Sequence, residues 1–292
     1  MKGMRSKSTA RGETATLPSL ETEVKLLPDG ESSILWIGNR KKAAKYVLFF
    51  HGGGYVVPLL PGHMEWCWRV FVAPYIGTQN EVAVAVLDYT LCPEAQHPTQ
   101  LNQAIAALDY LISSGIRPDQ ILIGGDSAGG NLTAHLLSHL GHPDANVSPP
   151  LKLSQPLLGA FLVSPWMSQD VSQRSVTENT IDMLTAKNGR DASRNFYGDK
   201  YRHVNMLDNK SSAFDGMTSV VSNVYVTAGQ QEALRDQAVL FVDILRRRNP
   251  SLEIRFEIAE KEAHDFILLE GEDKQTGDAM ERMKAWASDL IH

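Results

Sequence analysis

The most informative stretch of the chain is residues 121–131, which read ILIGGDSAGGN. An apolar run leads into the pattern Gly-x-Ser-x-Gly around Ser127, and a helix-period stretch follows at once. A serine in this context sits on a sharp strand-to-helix turn, where close packing leaves room only for glycine two residues before and after it. The pattern therefore predicts a nucleophile at Ser127. The alternative is a chance match in a tight turn, which the flanking strand and helix disfavour.

A second glycine-rich stretch, HGGGY at residues 51–55, follows another apolar run. Glycines let the backbone approach a reacting carbonyl and turn its N–H groups toward it. We expect Gly53 and Gly54, together with the N–H of Ala128 at the start of the helix after the serine, to form an oxyanion hole. His51 would shape the loop. A flexible loop is the alternative; a phosphate loop is disfavoured because no Lys-Ser/Thr pair follows.

The general base and its acid should come later in the chain, the acid before the histidine. His264 meets this condition, because it follows the apolar run at residues 253–258. The loop after the run at 224–228 offers two acids, Glu232 and Asp236. Either could instead be an ordinary acid in a first helical turn.

Histidines elsewhere in the chain carry no comparable pattern. His135 and His139 lie four residues apart on a predicted helix and could in principle ligate a metal. No glutamate stands beside the first of them to act as a base, so packing or surface roles are expected. The chemistry predicted here requires no metal and no organic cofactor.

The elements that must position these groups alternate regularly. Near-continuous apolar runs are typical of strands buried on both faces of a parallel sheet, and helix-period stretches lie between them. The order predicts an α/β fold with a mostly parallel, doubly wound sheet and helices on both faces. The first two strands have no helix between them, which indicates an antiparallel pair at the sheet edge. The predicted strands are residues 22–27, 33–37, 46–50, 82–87, 121–124, 159–163, 224–228 and 253–258. The predicted helices are 63–73, 101–113, 128–140, 233–248 and 274–291.

Two segments interrupt this alternation of predicted strands and helices. Residues 1–20 have no strand signal and are interpreted as a leader or a partial cap. Residues 166–218 are polar, rich in Ser, Asn and Asp, with weak helical stretches, which predicts a small cap or lid inserted after a strand. Residues 21–292 are otherwise expected to form a single domain.

Composition excludes several classes of protein. A formal charge of −6 argues against nucleic acid or an anionic membrane surface as the main partner. No apolar run is long enough to span a bilayer, and the N-terminus lacks the apolar core of a secretory signal. The two cysteines, Cys67 and Cys92, form no disulfide framework, so a reducing, cytoplasmic setting is expected.

Taken together, the motifs resemble the hormone-sensitive-lipase-like branch of the α/β-hydrolases, and most of all its fungal esterase-type members, some of which serve natural-product pathways. The match covers roughly Leu35 to the C-terminus. It comprises HGGGY at 51–55, GDSAGGN at 125–131, SPW at 164–166, TAG-x-x-E-x-x-x-D at 227–236 and HDF at 264–266. The resemblance implies a Ser127-His264-Glu232 triad and hydrolysis of a small carboxylic ester. It places the acid at Glu232, where the family most often has Asp, and Asp236 remains the alternative.

The chain departs from the family at two further points. Thr90 stands in DYTLCPE where relatives usually have Arg, so the support of that loop must differ. The N-terminal segment is shorter than in relatives, which suggests an open site or an entrance completed by a second copy in a homodimer. A short segment and a polar insertion predict compact acyl groups and no activation at an oil–water interface.

Large aromatic residues near the motifs are candidates for the substrate pocket. Tyr55, Trp66 and Trp166 are the ones we expect to line it, with simple core packing as the alternative. The sequence leaves two other functions open. The same triad would serve another acyl transfer, such as lactonisation or C–C cleavage of a polyketide. A hydrolase fold can also act as a non-catalytic small-molecule receptor, although intact Ser127 and His264 count against this.

Overall fold

The computed structural model describes residues 23–145, 147, 151–198, 206–207 and 212–292. Its centre is an eight-stranded sheet in the order β1-β2-β4-β3-β5-β6-β7-β8. The first two strands pair antiparallel with each other and β2 pairs antiparallel with β4, while every other pairing is parallel. This confirms the predicted strands and the antiparallel edge. The strands are β1 (Glu23–Leu26), β2 (Ser33–Ile37), β3 (Lys45–Phe50), β4 (Val82–Asp88), β5 (Ile121–Asp126), β6 (Gly159–Val163), β7 (Asn223–Gly229) and β8 (Glu253–Ala259).

Helices cover both faces of the sheet. Successive side chains of β3 point to opposite faces of the sheet, so Leu48 and Phe50 enter one apolar cluster while Val47 and Phe49 enter the other. Each cluster needs helices to cover it. The first cluster is closed by α2, α3 and α6, and the second by α1, α7 and α8. The predicted doubly wound architecture is thus confirmed. The helices are α1 (Pro61–Cys67), α2 (Thr99–Ser113), α3 (Ala128–Gly141), α4 (Arg174–Thr177), α5 (Ala186–Tyr197), α6 (Arg235–Arg248), α7 (Phe266–Glu272) and α8 (Asp278–Ile291).

Two helical details differ from the sequence prediction. The helix expected at 63–73 is divided into α1 and a π-helical turn, Trp68–Val72. Helix α7 was not predicted, because its seven residues are too few to display a period. It is held by close contact with α1, where a Cβ added at Gly271 would lie 2.0 Å from the carbonyl oxygen of Gly62.

No helix within the described ranges is long and apolar enough to cross a membrane. The two cysteines are both buried and unpaired with each other. The interpretation of residues 1–20 as a leader or partial cap concerns a segment outside the described residues.

The turn between β5 and α3 is packed directly against the end of β3. A Cβ at Gly125 would lie 2.1 Å from the carbonyl oxygen of Phe50, and one at Gly129 would lie 1.8 Å from the same atom. Only glycine fits at either position, because real Cβ atoms do not approach a backbone oxygen so closely. This contact brings the two glycine motifs of the sequence together.

Replacing Gly129 by Ala is therefore expected to disrupt the fold. We expect a loss of about 3 kcal/mol or more in the free energy of unfolding, because the clash is with backbone that has no rotamer to change. Gly141→Ala is the matched control on the same helix, since its Cβ would meet only side chains, at 2.6 Å the mobile end of Met217. The control should change stability by about 1 kcal/mol or less. Urea unfolding of both variants makes the comparison, and equal stabilities would contradict the packing argument.

Candidate active site

Ser127 and His264 meet at the carboxyl edge of the sheet. Ser127 lies between β5 and α3 with φ 50° and ψ −111°, a conformation that L-residues rarely adopt. His264 comes from the loop after β8, and its Nε2 lies 2.8 Å from Ser127 Oγ. Both side chains are buried at the floor of a cavity. The structure thus brings together the nucleophile and base proposed from the sequence.

The glycines after β3 face the same cavity. Gly53 and Gly54 have φ of 99° and 60°, in the left-handed region, and both line the cavity beside Ser127. The N–H of Gly52 donates to Asp126 Oδ1 at 3.0 Å, which ties this loop to the residue before the serine. Ala128 is the first residue of α3, so its N–H is among those that have no partner within the helix.

His51 supports this loop through shape rather than charge. Its ring stacks on Tyr89 with the centroids 4.3 Å apart, and the Tyr89 hydroxyl donates to the His51 carbonyl oxygen at 2.7 Å. Complete burial lowers the pKa of His51 to about 4, so the ring is neutral at physiological pH.

Glu232 is fully buried at the end of the loop after β7. Its Oε2 accepts hydrogen bonds from Ser164 Oγ at 2.5 Å and from the Gly229 N–H at 2.9 Å. Burial raises the pKa of Glu232 to about 7, although the charge of His264 and these hydrogen bonds oppose the rise. Within the described part of the chain, Glu232 Oε1 and His264 Nδ1 are both buried and have no hydrogen-bond partner.

His264 lies in a negative environment. Burial alone would lower the pKa of His264, but the carboxylates of Asp265 and Glu232, followed by those of Asp182 and Asp126, raise it above its usual value. A raised pKa means that the protein stabilises the imidazolium form. This is the form that a general base acquires when it accepts a proton.

Asp236 is occupied elsewhere. It lies in the first turn of α6, and its Oδ2 accepts from the Ser175 N–H at 2.9 Å. Its Oδ1 accepts from the guanidinium of Arg235 at 3.0 Å. The carboxylate is therefore engaged by the segment around α4 and by its own neighbour in the chain.

The cavity above Ser127 has a volume of about 420 Å³. One wall comes from the sheet side of the molecule and the other from the segment between β6 and β7, which includes α4 and α5. Apolar side chains predominate on both walls. From the sheet side these are Val56, Val57, Leu60, Leu234 and Leu268, and from the segment after β6 they are Trp166, Val171, Val176, Met183 and Leu184.

Of the three aromatic residues expected in the pocket, only Trp166 lines this cavity. Tyr55 is fully buried, stacks on Phe196 with centroids 3.8 Å apart and donates its hydroxyl proton to Asn131 Oδ1 at 2.9 Å. Trp66 packs on the opposite side of the sheet against Phe49 and Phe71. For Tyr55 and Trp66 the structure therefore corrects the expectation, and the packing alternative applies.

Sequence reasoning gave Ser164 no role of its own and did not find the glutamines that support the loop at Thr90. Ser164, which holds Glu232, was noted only as part of a family motif, yet it directly follows β6, which lies between the strands that precede Ser127 and Glu232. Thr90 shows how the loop is supported without the usual Arg. Gln103 accepts from the Thr90 N–H at 2.9 Å and donates to Thr90 Oγ1 at 2.7 Å, while Gln100 donates to the Thr90 carbonyl at 2.8 Å.

Comparison with known proteins agrees with this architecture. Residues 47–268 match the family described as having the alpha/beta hydrolase fold, and the chain belongs to that family. An acetyl-hydrolase of Streptomyces hygroscopicus is 26% identical over 212 residues, which is 72% of this chain and 64% of the relative. A carboxylesterase of Mycobacterium tuberculosis is 27% identical over 217 residues, 71% of this chain and 62% of the relative. The matched region thus spans less than two thirds of the length of either relative.

Solved structures share the fold over nearly the whole chain. An esterase from the bacterial hormone-sensitive lipase family superimposes with a TM-score of 0.73 at 24% identity, covering 95% of this chain and 87% of that one. A mutant of the esterase E40 gives a TM-score of 0.74 at 23% identity, with the same coverage of 95% and 87%. At such identities the likeness establishes the fold, and the first of these proteins comes from the family that the motifs resemble.

Proposed function

We propose that this protein is a serine carboxylic-ester hydrolase. The observation that carries the proposal is the contact of 2.8 Å between Ser127 Oγ and His264 Nε2, at the floor of a cavity that Gly53 and Gly54 also line. The printed names of two relatives, an acetyl-hydrolase and a carboxylesterase, support the same reaction class. The substrate is a small-molecule ester.

In the first half of the reaction, Ser127 Oγ attacks the acyl carbonyl and its proton passes to His264 Nε2. The electron pair of the carbonyl π bond moves to oxygen, where the N–H groups of Gly53, Gly54 and Ala128 stabilise it. Each well-placed donor contributes about 3 kcal/mol. The alcohol leaves with the proton from His264. A water then attacks the acyl-enzyme, with His264 again accepting the proton. The bond between Ser127 Oγ and the acyl carbon breaks, the carboxylic acid leaves, and the proton returns from His264 to Ser127 Oγ.

Glu232 is the third member of this triad. Its Oε1 and the Nδ1 of His264 are two buried groups that lack hydrogen-bond partners among the described residues. The negative charge of Glu232 raises the pKa of His264. Pairing them satisfies both and places the imidazole proton on Nδ1, which leaves Nε2 free to accept from Ser127. Ser164 and Gly229 hold the other oxygen, so Glu232 has a fixed orientation.

The described residues of the segment 166–218 serve as a cap over the cavity. This cap limits the size of the acyl group. A cavity of about 420 Å³ with mostly apolar walls suits a compact acyl group. We expect the rate to fall as the acyl chain of p-nitrophenyl esters lengthens. We also expect no increase when a substrate passes its solubility limit. A jump in rate at that limit would contradict a compact, water-accessible site.

Covalent labelling tests the nucleophile. A fluorophosphonate should modify Ser127 and abolish hydrolysis of a short p-nitrophenyl ester, because the probe captures a serine activated by its base. Mass spectrometry of the digested protein locates the adduct. Ser127→Ala should neither react nor hydrolyse the ester. An adduct on another residue of an active protein would refute the assignment, and a labelled Ser127 without ester hydrolysis would favour a different acyl transfer.

A pair of isosteric variants identifies the acid. Glu232→Gln should lose kcat by up to roughly 10⁴-fold, because an amide facing Nδ1 favours the wrong tautomer of His264. Asp236→Asn is the matched control and should lose far less, since its partners are Ser175 and Arg235. Steady-state kinetics on the same ester give the ranking. The reverse order would move the acid to Asp236.

A further inference from the structure

A second carboxylate lies beside His264, on the side of the nitrogen that reacts. Asp265 Oδ2 is 3.5 Å from His264 Nε2, the same atom that contacts Ser127. Asp265 is 8% exposed and lines the cavity. Its backbone is left-handed, with φ 57° and ψ 34°, at the position preceding α7. This conformation directs the side chain back toward the imidazole that precedes it.

Asp265 differs from Glu232 in what surrounds it. Glu232 is held by a hydroxyl and a backbone amide, whereas the side chain of Asp265 hydrogen-bonds to another carboxyl group, that of Asp126. Two carboxyl groups share a hydrogen bond only while one of them carries a proton, so ionised Asp265 has no donor there. A buried carboxylate without a donor costs free energy unless a cation forms beside it, and the imidazole of His264 lies beside Asp265 Oδ2.

Behind Asp265 lies a third carboxylate, Asp126, whose negative charge is stabilised by its neighbours. Asp126 Oδ1 accepts from Gly52, and its Oδ2 lies 3.4 Å from His63 Nε2. The Leu60 N–H donates to His63 Nδ1 at 3.2 Å, which leaves the ring proton on Nε2, toward Asp126. His63 and the glycine loop thus stabilise the charge of Asp126, and of the two aspartates Asp265 has the larger effect on the pKa of His264.

The protonation of this cluster follows from its charges. Burial and the charge of Asp126 raise the pKa of Asp265 to about 6, against the opposing effects of His264 and His63. Burial acts in the same direction on Asp126, but His63 and His51 hold its pKa below the usual value. Asp265 therefore becomes ionised near neutral pH, in the range where His264 must act as a base.

Resting on the proposed function, we propose that Asp265 is a positioning residue for His264, stabilising the imidazolium formed when Nε2 takes the proton of Ser127. No proton passes to Asp265 in this step. The proton moves from Ser127 Oγ to Nε2 as the Oγ–carbon bond forms, and it leaves with the alcohol as the ester bond breaks. Glu232 and Asp265 together flank one imidazole, Asp265 from the Nε2 side.

The variant Asp265→Asn removes the charge and keeps the shape. Asn tolerates the left-handed conformation and the start of a helix as well as Asp does. We expect kcat to fall about tenfold or more, because a charge next to a transient cation is lost while KM changes little. The loss should be greater on an ethyl ester than on a p-nitrophenyl ester, since an alkoxide needs the proton from Nε2 and nitrophenolate leaves without it.

The pH profile separates this role from a purely structural one. A neighbouring negative charge favours the imidazolium, so removing it lowers the pKa of His264 and moves the acidic limb of kcat/KM to lower pH. Asp182, Asp126 and Glu232 still act on His264 in the variant, so the shift is partial. Asp265→Glu should restore part of kcat and return the limb toward its original position.

The control is Asp273→Asn, an exposed aspartate at the other end of α7, which should leave kcat and the pH profile unchanged. An Asp265→Asn enzyme with full activity, or one with reduced kcat and an unshifted limb, would overturn the proposal. The imidazole of His264, followed by NMR titration in the wild type and in Asp265→Asn, gives the same answer without any substrate. If the wild type hydrolyses no ester, the proposed function fails, and the titration still decides the role of Asp265.

Discussion

The close approach of two backbone segments, the end of β3 and the turn around Ser127, is the constraint on which the site depends. The carbonyl of Phe50 touches the turn around Ser127 so tightly that no Cβ fits at Gly125 or Gly129. Because β3 and β5 are parallel neighbours, their carboxyl ends emerge at the same edge, and this contact removes the remaining freedom between them. The glycine loop and the serine are then held in one rigid arrangement. The loop that carries His264 then only has to bring Nε2 to a serine whose position is already fixed.

The electrostatic character of the site follows from burial. Asp126, Glu232 and Asp265 are all buried and all act electrostatically on the imidazole of His264, which is a costly concentration of like charge. The structure reduces the cost unequally. Hydrogen bonds and His63 stabilise the charge of Asp126, whereas the pKa values of Glu232 and Asp265 rise to about 7 and about 6. Titration near neutral pH is thus a property of the whole group of side chains, in which His264 is one member.

The sequence predicted those features that depend on local pattern. Buried strands appeared as unbroken apolar runs, and the paired glycine motifs marked where backbone must approach backbone. Helix α7 could not be predicted, because its seven residues are too few to display a period and its close contact, that of Gly271 with Gly62, joins positions distant in the chain. Tyr55 and Trp66 failed as pocket residues for a related reason. An aromatic side chain satisfies the same pattern whether it faces a ligand or Phe196, and only the tertiary packing decides.

The contacts of the carboxylates also depend on tertiary packing that local sequence does not show. Ser164 and Glu232 are separated by 68 positions, and nothing local to either indicates their hydrogen bond. Asp265 was visible in the HDF motif, but its position on the Nε2 side of His264 depends on one left-handed residue. The strand order could have indicated Ser164, since β6 lies between β5, which precedes Ser127, and β7, which precedes Glu232.

The stacking of Tyr55 on Phe196 anchors one end of α5. Phe196 belongs to α5, and Tyr55 directly follows Gly53 and Gly54, so displacing this end of α5 would separate a coplanar ring pair beside those glycines. The opposite end of that stretch carries the exposed side chains of Ile181 and Met183, and Met183 borders the cavity. Under the proposed function, a substrate that enters over Met183 would leave the N–H groups of Gly53 and Gly54 undisturbed, whereas one that displaced the Phe196 end of α5 would not.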